Sequence, residues 1–236
     1  MTTIGEKIIG RINEDFQVLS RIVMKQINLT AQLIEDNRNE EIHTEINNNE
    51  RIIDSLDVKM RDEVINVIVL YSPRASTLRK IMAYYDMTTY LERIGDLLLN
   101  VSGYLKRSDV HGPLFIEFRE DISKMLGTVE NMTQNAIFAF TCEDSSLARA
   151  TIELDDEADA FQRSIIARLQ DCYSGKIAKE QDMIDVLSIN SMAYNMERIG
   201  DNATNIAEAA IYLMEGKNIK HNTSQPYSEL QAGSEG

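Results

Sequence analysis

Met87-Thr-Thr-Tyr-Leu-Glu-Arg-Ile-Gly-Asp96 and Met192-Ala-Tyr-Asn-Met-Glu-Arg-Ile-Gly-Asp201 share the pentapeptide Glu-Arg-Ile-Gly-Asp, 105 residues apart. Other features recur at the same offset. Glu50 and Asp54 map onto Asp155 and Asp159, Asn100 onto Asn205, Ala31 onto Ala136 and Ile42 onto Leu147. A second acidic pair in register with a repeated pentapeptide marks duplication of a whole unit rather than a chance match. The expected units span 1–109 and 110–217, followed by a polar tail over 218–236 that has no apolar period and is expected to be mobile.

Between the breaks at Ser72-Pro73 and Gly112-Pro113 the period is helical, with little strand-like alternation. Each unit reads as three helices, near 4–37, 40–71 and 73–107 in the first and near 113–141, 144–174 and 180–215 in the second. Long antiparallel helices with short connections make an up-down-up bundle, so the expected fold is all-α, two tandem three-helix bundles.

On the third helix of unit one, Met87, Leu91, Ile94, Leu98, Val101 and Leu105 form the apolar stripe. Glu92, Asp96 and Asn100 lie four apart and, at about 100° per residue, fall on the opposite side, an outer face. Glu197, Asp201 and Asn205 repeat that arrangement in unit two. On the second helix, Glu50 and Asp54 sit a quarter-turn or more from the inward stripe, and Asp155 and Asp159 hold the matching positions. If second and third helices are antiparallel neighbours, four carboxylates converge in each unit. Such a gathering costs repulsion and raises pKa values, and a bound cation offsets both. Oxygen-rich sites suit magnesium, calcium, manganese or iron. Gly95 and Gly200, each beside an acid pair, give up helix stability for close approach of a neighbour.

Plainer readings stand beside these. A lone Glu-x-x-x-Asp is usually a solvated face; here the pattern occurs four times in two registers. Arg93 and Arg198 read as solvated or pairing residues, and Asn100 and Asn205 as weak ligands or supports for ligands. Met82, Met87, Met125, Met132, Met183, Met192 and Met196 read as core filler. His43, His111 and His221 fall outside the acid stripes and read as exposed. Cys142 and Cys172 have no metal-type spacing and read as ordinary thiols of a reducing compartment. No phosphate loop, nucleophile–base motif or redox pair is present.

The net charge of −14 repels nucleic acid and disfavours adsorption to an anionic membrane. No run of about 18 apolar residues suggests a membrane span. The start, Met1-Thr-Thr-Ile-Gly-Glu-Lys7, lacks a signal-peptide pattern, so a cytoplasmic location is expected.

Met196-Glu-Arg-Ile-Gly-Asp-Asn-Ala-Thr-Asn-Ile-Ala-Glu208 resembles the signature of the PhoU family, and Leu91-Glu-Arg-Ile-Gly-Asp-Leu-Leu-Leu-Asn-Val101 is a looser match. The resemblance implies two similar three-helix bundles side by side, with metal ions held on Glu/Asp-x-x-x-Asp motifs, often as multinuclear clusters. Carried over by position, the ligands are Glu50, Asp54, Glu92 and Asp96 in unit one and Asp155, Asp159, Glu197 and Asp201 in unit two, with Asn100 and Asn205 where the motif continues. The metal expected is iron, zinc, manganese or magnesium. The resemblance further implies a homodimeric adaptor, not an enzyme, that regulates phosphate uptake and phosphate-starvation signalling through the phosphate ABC transporter and the phosphate-sensing histidine kinase. Two alternatives remain. One is a metal-free acidic scaffold. The other is a carboxylate-bridged metalloenzyme, for which the usual Glu-x-x-His pairs are missing.

Overall fold

The computed structural model describes residues 3–173 and 179–216. Seven helices follow in order: α1 Thr3–Glu35, α2 Glu40–Tyr71, α3 Ala75–Arg107, α4 Pro113–Thr141, α5 Ser145–Glu153, α6 Asp155–Tyr173 and α7 Glu180–Glu215. The fold is all-α, with α1–α3 forming one three-helix bundle and α4–α7 repeating it. The tail expected at 218–236, with His221, lies outside the described residues.

Local chemistry explains the helix ends. Asn39 accepts from the N–H groups of Glu41 and Ile42, and Glu40 and Glu41 place negative charge on the positive end of α2. Asp144 caps α5 in the same way, accepting from Ser146 and Leu147. Pro113 opens α4, where its missing N–H costs nothing. α1 stops at Glu35, two residues short of the expected end. Asn37 instead turns its amide onto the carbonyls of Leu105 and Ser108, at 2.6 and 2.8 Å, closing the C-terminal end of α3. α3 starts at Ala75, with Pro73 in the preceding turn.

The single helix expected over 144–174 is broken at Leu154. Its N–H bonds to the Thr151 carbonyl three residues back, a tightened turn, and α6 then begins with Asp155, Asp156 and Glu157. Three consecutive acids are better placed on the first turn of a new helix than inside a continuous one, because the first turn carries the positive end of the helix dipole.

The two units share one core. Phe16 of α1, Tyr84 of α3 and Phe140 of α4 pack edge to face, with centroids 5.0 to 5.5 Å apart. α3 and α7 run antiparallel against each other. The Asp109 N–H donates to Asp185 at one end, and Gly216 lies against Arg79 at the other. Met87, Met125, Met132, Met192 and Met196 are buried, as expected of core filler; Met82 and Met183 are not, and sit on the surface. His43 also departs from the expected exposure. It is buried, its Nε2 3.0 Å from the Asn37 carbonyl and its Nδ1 3.0 Å from Ser102 Oγ. A carbonyl only accepts, so Nε2 carries the proton. His111 is exposed near Asp36.

The glycines beside the two acid pairs differ. A Cβ on Gly95 would come within 2.9 Å of Ile53 Cδ1 and 3.1 Å of Glu50 Oε2, whereas one on Gly200 would meet Ala158 and Met132 at an ordinary 3.5 Å. Gly200→Ala is therefore expected to raise stability by up to about 1 kcal/mol through helix propensity. Gly95→Ala should lower it by about 1–3 kcal/mol through overpacking. Denaturant unfolding of the two variants measures both, and equal shifts would contradict the difference.

Candidate metal centre

In unit one the close approach at Gly95 seats Glu50 deeper than its helical position suggests. Its side chain is 5% exposed, on the core side of α2 rather than beside it. The fully buried Gln26 of α1 donates from Nε2 to Glu50 Oε2 at 3.1 Å and to the Gly95 carbonyl at 3.0 Å. Glu50 Oε1 is buried with no hydrogen-bond partner. Burial, with Asp96 and Asp54 as neighbouring negative charges, pushes the Glu50 carboxyl up to about 7, against the lowering effect of Gln26. Glu92 is half-buried and is also raised, by burial first, then by Asp96, Asp57 and Asp54, with Arg61 opposing. Asp54, Asp96 and Asn100 are exposed. Between α2 and α3, Glu50 and Glu92 thus both feel the charges of Asp54 and Asp96.

Unit two brings its four acids together likewise. Burial raises Asp155, Glu197 and Asp201. Asp201 adds to the shift of Asp155, and Asp201, Asp159 and Asp155 add to that of Glu197. Arg198 opposes the shift at Glu197 and Asp201. The hydroxyl of Thr204 donates to Asp155 Oδ1 at 3.3 Å, and Arg163 pairs with Asp159 at 3.0 Å. Among the described residues, no three of these side chains already stand in the arrangement of a formed metal site.

The face called outer from the helical wheel turns out to be the seam between the units. Glu92, Arg93, Asp96 and Asn100 of α3 and Arg198, Asp201, Asn202 and Asn205 of α7 line one polar groove of about 690 Å³. Two smaller hollows lie farther along the same helix pair, one at Arg79, Met82, Ala83, Asp86 and Tyr212 and one at Tyr104, Arg107, Ile184, Leu187, Ser188 and Ser191. The residues of the second stand at the 105-residue offset from positions in the first. An approximate two-fold therefore relates the halves of the groove.

Sequence reasoning missed Gln26, Asp57 and Arg61. Arg61 donates from Nε to both oxygens of Asp57, at 2.9 and 2.7 Å, and reaches Tyr85 and Thr89. None has a counterpart in unit two, where Asn131, Gln162 and Ile166 stand instead, so the repeat carried no signal for them.

Two segments, residues 16–105 and 122–210, match the PhoU domain. The chain belongs to the PhoU family. It is 26% identical over 238 residues to phosphate-specific transport system accessory protein PhoU homolog 1 of Thermotoga maritima, covering 98% of this chain and 96% of that one. The corresponding PhoU homolog of Aquifex aeolicus is 30% identical over 203 residues, covering 86% and 89%. The crystal structure of PhoU from Pseudomonas aeruginosa superposes with a TM-score of 0.81 at 25% identity, covering 90% of this chain and 99% of that one. The phosphate transport system regulatory protein PhoU from Streptococcus pneumoniae has the same fold, with a TM-score of 0.80 at 17% identity, covering 92% and 100%.

A carboxyl whose pKa is raised in the fold binds a proton that the unfolded chain has lost. The stability tied to Glu50 is therefore present below its ordinary 4.5 and is lost as pH rises through about 7. In chelator-treated protein, unfolding free energy should fall over that window, and Glu50→Gln should flatten the fall. An unchanged slope in the variant would remove Glu50 as its source.

Proposed function

We propose that this PhoU-family protein is a metal-binding helical adaptor that regulates phosphate uptake and phosphate-starvation signalling. The observation that carries the metal reading is Glu50, a buried carboxylate with one oxygen unpartnered, facing Asp96 and Asp54. Leaving such an oxygen unpaired is costly; a proton satisfies it below about pH 7, and above that a divalent cation satisfies it and quenches the repulsion together. The donor set is all oxygen, so it fits iron, manganese, magnesium or zinc held by Glu50, Asp54, Glu92 and Asp96 and by Asp155, Asp159, Glu197 and Asp201. Asn100 and Asn205, one turn on, complete each stripe. A bound cation supplies positive charge to the α3–α7 seam; the chain's own residues position it and need no turnover. The relatives' names, accessory and regulatory proteins of a phosphate transport system, support the regulatory role.

The partners in this reading are components of the phosphate ABC transporter and the phosphate-sensing histidine kinase. The chain acts as a homodimer in the cytoplasm, without membrane insertion and without nucleic acid. Among the described residues no helix is long and apolar enough to cross a membrane. A second reading, a metal-free acidic docking face, draws on the absence of a ready-made three-ligand cluster among the described residues.

Elemental mass spectrometry of protein purified without an affinity-tag metal decides between them. Near-stoichiometric metal is expected, with about half lost in a Glu197→Ala, Asp201→Ala double variant that keeps its helicity. No metal after incubation with iron, manganese, zinc or magnesium would leave the metal-free face.

A further inference from the structure

The duplicated acid clusters are not chemical copies of each other. In unit one, Glu50 is oriented by a side chain that is itself fully buried. Gln26 spends its two N–H donors on Glu50 Oε2 and the Gly95 carbonyl, which fixes Glu50 between α1, α2 and α3 and leaves Oε1 as its only unsatisfied oxygen. The position matching Gln26 in unit two is Asn131, which is exposed. There Asp155, more exposed than Glu50, takes only the longer bond from Thr204.

The guanidinium groups differ in the same sense. Arg61 of unit one is held on Asp57, Tyr85 and Thr89, and Asp57 is not one of the four candidate ligands. Arg163 of unit two is exposed and sits directly on Asp159, which is one. A cation entering unit one meets an oriented, unpaired acceptor. A cation entering unit two meets Asp159 with one oxygen, Oδ2, already paired to Arg163.

We infer that Gln26 is a positioning residue for the unit-one metal site and Arg163 a competitor at the unit-two site, so that unit one takes up a divalent cation first and more tightly. This rests on the metal reading above and adds an order of filling that the sequence repeat conceals. Outer partners that orient a ligand typically contribute about 10–100-fold to metal affinity, which sets the expected separation. An exposed ion pair contributes about two- to fivefold.

The test is calorimetric titration of the chelator-stripped full chain with manganese(II) chloride. Two classes of site are expected, the tighter removed by Glu50→Gln and the weaker by Asp155→Asn. Gln26→Met should weaken the tighter class about 10–100-fold and leave the weaker one unchanged, which a general loss of structure would not do. Arg163→Gln should tighten only the weaker class, about two- to fivefold. Helicity by circular dichroism checks each variant. If Gln26→Met does not fold, the assignment by Glu50→Gln and Asp155→Asn still decides the order. A single class of equal sites, a tighter class removed by Asp155→Asn, or a folded Gln26→Met variant with unchanged binding would each overturn the inference while leaving metal binding intact. No manganese uptake at all would overturn the metal reading and this inference together.

Discussion

Repulsion between like charges, held in place by an apolar core, is the constraint on which the rest of this molecule depends. Ile53, Leu91, Ile94 and Leu98 are buried, and their packing fixes α2 against α3. The carboxylates on those helices therefore cannot separate without opening the core. Gly95 sharpens the effect, because the missing Cβ lets Ile53 and Glu50 close onto the backbone of α3. Burial then raises five of the eight repeated carboxyls above their usual values. Groups arranged this way respond strongly to protons and to nearby positive charge.

The same constraint organises the seam. α3 presents Glu92, Arg93 and Asp96, and α7 presents Arg198 and Asp201, to one groove, so charged members of both repeated motifs share a single surface. The internal repeat gives the approximate two-fold, and the surroundings of the two clusters depart from it. Unit one has the Gln26–Glu50 bond and the Asp57–Arg61 pair; unit two has a broken second helix and an arginine on Asp159. The two acid clusters therefore share one backbone plan but differ in what surrounds their carboxylates.

The helices, the duplication and the acid stripes were legible in the chain because each rests on local periodicity. Spacings of three and four write the buried stripe directly, and a 105-residue offset needs no coordinates. The ends of α2 and α4 were equally local, set by Asn39 and Pro113. Family membership followed from the same repeated motif and is matched over both segments.

What tertiary structure decided is what depends on distance between helices. A helical wheel places Glu50 beside the core and cannot tell that Gly95 draws it inside. It places Glu92 and Asp96 on an outer face and cannot tell that the second unit converts that face into a seam. His43 carries no sequence sign of burial, since its partners Asn37 and Ser102 come together only when the α1–α2 turn closes over α3. Gln26, far from either acidic motif and without a repeat counterpart, matters only through a bond across the bundle to Glu50. Sequence determines which faces are apolar and which acidic, because that is a property of each helix alone. Depth, pairing and the difference between the two acid clusters belong to the packing between helices, where a single missing Cβ changes what a carboxylate meets.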